Sequence, residues 1–288
     1  MHSSPDRCPS PRPDRTALGG TLGRLGVAAA AAVLLVLLGL PLAALVLRIP
    51  AEALWSRLGQ PLVLDALRLS LVTSAASTAA IVALGLPMAY LLATRGFPGK
   101  RIVLVLIDLP LVLPPTVAGV ALLAAFGRAG LAGGVLQAFG ITLPFTTLGV
   151  VVAQTFVAVP FFVGAARTGL AEVDRRYLDL AATLGSPPGR TFLRVMLPLA
   201  FPALLSGAAM SWARALGEFG ATITFAGNLP GVTQTMPLAV YLALQSDLDA
   251  AVALSVLLLA VSLVVLLVVR SGSAGPAGAR ARARRPAA

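Results

Sequence analysis

Apolar residues in this chain come in long blocks, and a block of about twenty uncharged apolar residues is the length a helix needs to cross a lipid bilayer. The clearest block is Val27 to Leu47, VAAAAAVLLVLLGLPLAALVL. Only 11% of the 288 residues are charged while 58% are hydrophobic, whereas a soluble domain carries about 25% charge. The core is therefore built inside lipid, where every backbone polar group must be satisfied internally. The sequence predicts an all-α polytopic membrane protein of about six helices. The expected spans are Val27 to Leu47, Leu67 to Ala93, Ile102 to Phe126, Thr147 to Ala166, Leu199 to Phe225 and Ala250 to Val269. The first is too long and uninterrupted for a signal-peptide core, so it reads as a retained helix. The expected organisation is a disordered N-terminal tail over 1–26, a membrane domain over 27–270 and a basic tail over 271–288.

The net charge of +11 resembles that of nucleic-acid binders, but its placement argues for orientation and against nucleic acid. One set of alternate segments holds Arg7, Arg12, Arg15 and Arg24; Arg95, Lys100 and Arg101; Arg167, Arg175, Arg176, Arg190 and Arg194; and Arg270, Arg280, Arg282, Arg284 and Arg285. The other set holds Arg48, Arg57, Arg68 and Arg128, and Arg214 lies within a span. Seventeen against four puts both termini in the cytoplasm, because cytoplasmic loops retain the excess of Lys and Arg. The tail GPAGARARARRPAA reads as a solvated segment attracted to anionic lipid. Cys8 and His2 are the sole cysteine and histidine. No internal disulfide, cysteine metal cluster or His-pair metal site follows from that inventory. No Gly-x-x-x-x-Gly-Lys-Ser/Thr run occurs, so an ATP-binding loop of that type is missing. Lys100 is the sole lysine available for a Ser–Lys dyad and sits in a short loop. An enzyme is therefore disfavoured. An ion-coupled secondary transporter would show matching broken repeats, and no such pairing is visible in the sequence.

The segment from 167 to 198 is a polar interruption between apolar spans. Asp179 to Leu184 favours a helix, Gly185 ends it, Ser186 offers a cap and Pro187 fits the first position of a second helix. Phe192, Val195 and Met196 then share one face, and Arg190 and Arg194 another. Pro198 should re-aim the chain into the next span. The expected product is an amphipathic surface helix with an apolar knob, presented to a partner or resting on lipid.

Asp179, Leu180 and Ala181, then Ala182, Gly185, Val195, Leu197 and Pro198 resemble the coupling loop of permease subunits of ABC importers. That pattern begins with Glu-Ala-Ala. Asp replaces Glu and Leu replaces the first Ala here, with the spacing kept. The stretches DLPLVLPPTVAGVALL (108–123), RALGEFGAT (214–222) and AGNLPGVTQTMPLAVY (226–241) are similar to permeases of molybdate and tungstate importers. Sulfate importers share part of the second run. The resemblance implies a type I permease fold in a bacterial inner membrane and a homodimer of this chain. It implies two ATPase subunits that carry ATP and Mg, an external binding protein, and no cofactor, metal or catalytic residue in this chain. In that family the loop, including Asp179, Ala181, Ala182, Gly185, Phe192, Val195, Leu197 and Pro198, enters a cleft on the ATPase. The implied cargo is molybdate or tungstate, with sulfate or thiosulfate as the alternative.

Arg214 and Glu218 lie four apart within a span, where charge is costly unless paired or wet. They are either a structural ion pair or part of the anion path. Asp108 is a candidate partner for either. Thr222 and Thr224 offer neutral donors near the outer end of the same span. Pro110, Pro114 and Pro115 mark a packing kink or a gate element in the third span. Ser70, Ser74, Ala75 and Ala79 should permit close helix packing in the second.

Overall fold

The computed structural model describes residues 21–48 and 59–273; the two expected tails lie outside them except for 21–26 and 271–273, which are helical and extend the first and last helices beyond the expected bounds. Among the described residues every regular element is a helix. The chain divides into two units, 1–49 and 50–288. The first contains α1, Thr21–Leu47, which carries Pro41 within an otherwise unbroken apolar run.

In the second unit, α2 (Pro61–Thr94) begins with Pro61 at its first turn, where the missing N–H costs nothing. A short turn then leads to α3 (Lys100–Val112) and α4 (Pro115–Phe126). The small helix α5 (Gly133–Ala138) precedes α6 (Thr147–Ala171). The loop region contains α7 (Arg175–Thr183) and α8 (Pro188–Thr191), followed by a π-helical turn over Phe192–Met196. Then come α9 (Leu197–Leu216), α10 (Gly220–Ala226), α11 (Met236–Leu244) and α12 (Leu248–Ser273). Among the described residues five helical runs are long and apolar enough to cross a membrane: Gly23–Leu47, Pro61–Thr94, Thr147–Ala171, Pro188–Leu216 and Leu248–Leu267.

Two expected spans differ from their single-helix reading. The third is broken at Leu113 and Pro114, whose extended ψ angles of 131° and 135° end α3 and start α4. Pro114 and Pro115 cause this, since neither supplies an N–H and each excludes the helical conformation from the residue before it. The fifth is broken at Gly217 to Phe219, between α9 and α10. Pro198, by contrast, does not turn the chain: helix runs continuously from Pro188 to Leu216. The π turn absorbs the proline, with the Leu197 N–H donating to the Phe192 carbonyl.

Helix α6 is the centre of the packing, lying against α2 on one side and α9 on the other. Its contacts are close because small residues meet there: Gly207 of α9 lies on Ala165 and the Phe162 backbone, leaving no room for a β-carbon. On α2 the buried stripe is Ser70, Thr73, Ser74, Ser77 and Ile81, which repeats at three and four residues. Ala75 and Ala79, expected in that stripe, are not on it: Ala75 and Ala79 are exposed on the opposite side. Ser77 lies 3.0 Å from the Gln154 side-chain oxygen of α6, and Ser211 of α9 donates to the Ala158 carbonyl at 2.9 Å. Hydroxyls thus stitch α2, α6 and α9 where a larger residue would hold them apart.

Candidate functional site: an exposed loop and two helix breaks

Helix α7 starts because the Asp174 carboxylate accepts the Arg176 N–H at 2.9 Å, an N-cap bond the sequence reading missed although Asp is a preferred cap. It ends as expected at Gly185, whose φ of +74° is left-handed. The Ser186 N–H bonds the Ala181 carbonyl at 3.0 Å and the Gly185 N–H bonds the Ala182 carbonyl at 2.9 Å. That pair of crossed bonds is a Schellman cap, so Ala181 and Ala182 supply the carbonyls that fix the corner. Nothing lies within 4 Å of a β-carbon at Gly185; glycine is required there for its backbone angle and not for space.

Beyond the corner, the helix start is shifted by one residue from expectation. Pro187 occupies the cap position and Pro188 the first turn. Ser186 caps no N–H and instead accepts the Thr191 hydroxyl at 3.1 Å.

The larger correction concerns the knob. Phe192 packs edge-on against Tyr90 of α2, with ring centroids 4.7 Å apart and planes at 64°. Met196 is buried in the α2–α6–α9 core, and Val195 is half-buried. The face Phe192–Val195–Met196 therefore points into the membrane domain. In the first half Tyr177, Leu180 and Leu184 stand outward, with Leu184 78% exposed, and of the second half Leu193 is exposed as well. The three of the first half share one face at spacings of three and four. Asp179 is exposed beside them. The periodicity was present in the sequence, and Leu180 is the residue that replaces the usual Ala.

At the other candidate site, the breaks of the third and fifth spans meet. A β-carbon at Gly220 would sit 2.6 Å from Pro115 Cβ, and one at Gly119 would sit 2.6 Å from Thr224 Cβ. Thus α4 and α10 touch backbone to backbone from their first turns onward. Glu218 spans the gap between α9 and α10. Its Oε1 accepts the Ala221 N–H at 2.8 Å, and its Oε2 is 2.6 Å from Arg214 Nη2. Glu218 is 1% exposed and Arg214 29%. Asp108 is exposed and is not the partner of Arg214. Thr222 is fully buried, and Thr224 donates to the Gly220 carbonyl at 2.8 Å. Phe219 stacks obliquely on Tyr241 of α11 at 5.0 Å, tying the break to the next helix.

Comparison with known proteins agrees with this architecture. Residues 81–273 match the family described as the binding-protein-dependent transport system inner membrane component. The molybdenum transport system permease protein ModB of Mycobacterium bovis is 48% identical over 252 residues, covering 86% of this chain and 93% of its own. ModB of Escherichia coli K12 is 39% identical, covering 71% of this chain and 90% of its own. The sulfate transport system permease protein CysT of Escherichia coli K12 is 37% identical over 79% of this chain and 83% of its own. Among solved structures, a bacterial ABC transporter that imports the acidic polysaccharide alginate superposes with a TM-score of 0.72 at 14% identity. It covers 88% of this chain and 94% of its own. The long apolar helices, the exposed helix–glycine–helix loop and these matches together place the chain in the binding-protein-dependent transport system inner membrane component family, as a multi-pass inner-membrane transport subunit and not an enzyme.

Proposed function

We propose that this chain is the membrane-spanning subunit of an ABC importer that carries molybdate or tungstate into the cell. The observation that carries the cargo is the 48% identity to a molybdenum permease over nearly its whole length. Two copies of the chain form the path, two separate ATPase subunits bind ATP and Mg, and an external binding protein delivers the anion. The alginate transporter has been seen with a substrate-bound periplasmic protein, which supports a partner of that type on the side opposite the ATPases.

In this mechanism, the α7–α8 loop (within 167–198) docks on the ATPase through Tyr177, Leu180 and Leu184, with Asp179 at the edge. Ala181, Ala182 and Gly185 hold the corner that presents this face. Phe192, Val195, Met196, Leu197 and Pro198 do not meet the ATPase; they join the loop to α2 and α9. Closure of the ATPase pair upon ATP binding then moves the loop, and the Phe192–Tyr90 contact and the continuous helix through Pro198 pass that motion to the spans. Arg214 and Glu218 stand at the fifth-span break beside the path, with Thr222 and Thr224 inside the adjoining helix pair. Similarity to CysT favours sulfate as a second reading of the same machine. Uptake of labelled molybdate into proteoliposomes, competed by tungstate or by sulfate, decides between them. Competition by tungstate with little by sulfate is expected. Sulfate uptake without molybdate uptake would replace the cargo.

A further inference from the structure

The ion pair at the fifth-span break has an asymmetry that a purely structural pair does not need. Glu218 is sealed at 1% exposure, whereas Arg214 keeps 29% of its side chain open. Both lie within an apolar run, where an exposed guanidinium facing lipid is costly; the open side therefore faces water or a polar partner. Arg214 meets Glu218 through Nη2. A guanidinium has five N–H donors in a fixed fork, so most of them are left for a third group. Meanwhile the other carboxylate oxygen of Glu218 holds the Ala221 N–H, which fixes the acid in place and with it the arginine.

The requirement on such a residue is also asymmetric. An oxyanion must be attracted into the span, since crossing apolar surroundings alone is prohibitive. It must also leave. A lone Arg in a low-dielectric span would hold a dianion strongly, because the attraction scales inversely with the dielectric constant. An Arg already neutralised by a fixed carboxylate offers hydrogen-bond donors without net charge.

Resting on the importer reading above, we propose that Glu218 is a positioning residue that neutralises and orients Arg214, so that the guanidinium selects a tetrahedral oxyanion in transit without trapping it. The same carboxylate caps α10, so the donor fork is held at the point where the span is broken and not along a continuous helix.

The test uses the assembled permease–ATPase complex. Glu218→Gln keeps an oxygen to accept the Ala221 N–H and removes the charge. Without binding protein, the wild-type complex should retain no labelled molybdate or sulfate on a desalting column. Glu218→Gln should retain one of them at least tenfold above wild type, in a salt-sensitive way. Its binding-protein-driven uptake should fall at least fivefold. Glu218→Asp should restore much of the uptake, and adding Arg214→Gln to Glu218→Gln should abolish the retention. A Glu218→Gln complex that retains neither anion, or that transports within twofold of wild type, overturns the proposal. Should that variant fail to assemble, Arg214→Gln alone decides: an unpaired buried carboxylate repels the dianion, so uptake is lost, and normal uptake overturns the proposal. A wild-type complex that imports none of these anions fails the importer reading instead.

Discussion

In the exposed loop, Tyr177, Leu180 and Leu184 hold apolar side chains outward, uncovered by the rest of the chain, around a glycine corner. At the fifth-span break, Arg214 and Glu218 hold charge inside an apolar helix around a glycine-bounded gap. Each region inverts the composition of its surroundings, and the inversions have opposite costs. The loop gives up hydrophobic burial that a partner can return. The break gives up solvation, which the chain must offset from within through the Glu218 bonds to Arg214 and Ala221. The loop should therefore tolerate substitution in stability while failing in function, whereas the break should lose both together.

The largest effect is expected at the corner. Gly185→Glu forces a side-chain residue into φ of +74°, costing about 1–2 kcal/mol locally and tilting the docking face. Uptake should drop more than tenfold with ATP hydrolysis no longer stimulated by loaded binding protein; coupled uptake near wild type would separate this corner from the ATPase. Next, Leu184→Glu should cut co-purification of the ATPase about tenfold, a loss of about 1.4 kcal/mol in binding, with thermal stability of the permease unchanged. Phe192→Ala is its counterpart, because that ring packs inward on Tyr90. It should destabilise the detergent-solubilised permease by about 2–3 kcal/mol, read as a lower melting temperature. If Leu184→Glu lowers stability and Phe192→Ala does not, the inward and outward faces have been interchanged. At the breaks, Gly220→Ala meets Pro115 and should cost about 1–3 kcal/mol by overpacking. The smallest effect belongs to Ser77→Ala, which removes the link to Gln154 and should cost about 0.6 kcal/mol, just measurable by melting.

What could be read without coordinates follows the same division. Length and hydropathy locate the spans because a bilayer imposes them on each segment separately; Thr147 opens a helix as expected. The corner at Gly185 was legible because a left-handed cap is a local event with a local residue preference. The orientation of Phe192 was not, since periodicity states which residues share a face but not what faces them. Here the answer is Tyr90, a hundred positions away in sequence. The break at Gly217 to Phe219 was hidden for a related reason. Apolar flanks disguise it, and Glu218 looks like a burdened helix residue until its bond to the Ala221 N–H shows it capping a new helix. The prolines at 114 and 115 announced a disturbance, but only the close approach of Gly220 to Pro115 shows that the two disturbances are one place.

The most direct test of the account is ATP hydrolysis by this chain co-purified with its ATPase, reconstituted with binding protein that is empty or loaded with molybdate, tungstate or sulfate. The account predicts hydrolysis stimulated by molybdate-loaded or tungstate-loaded protein and not by empty or sulfate-loaded protein, with the stimulation abolished by Gly185→Glu. Hydrolysis indifferent to the loaded binding protein, or unaffected by Gly185→Glu, would contradict it.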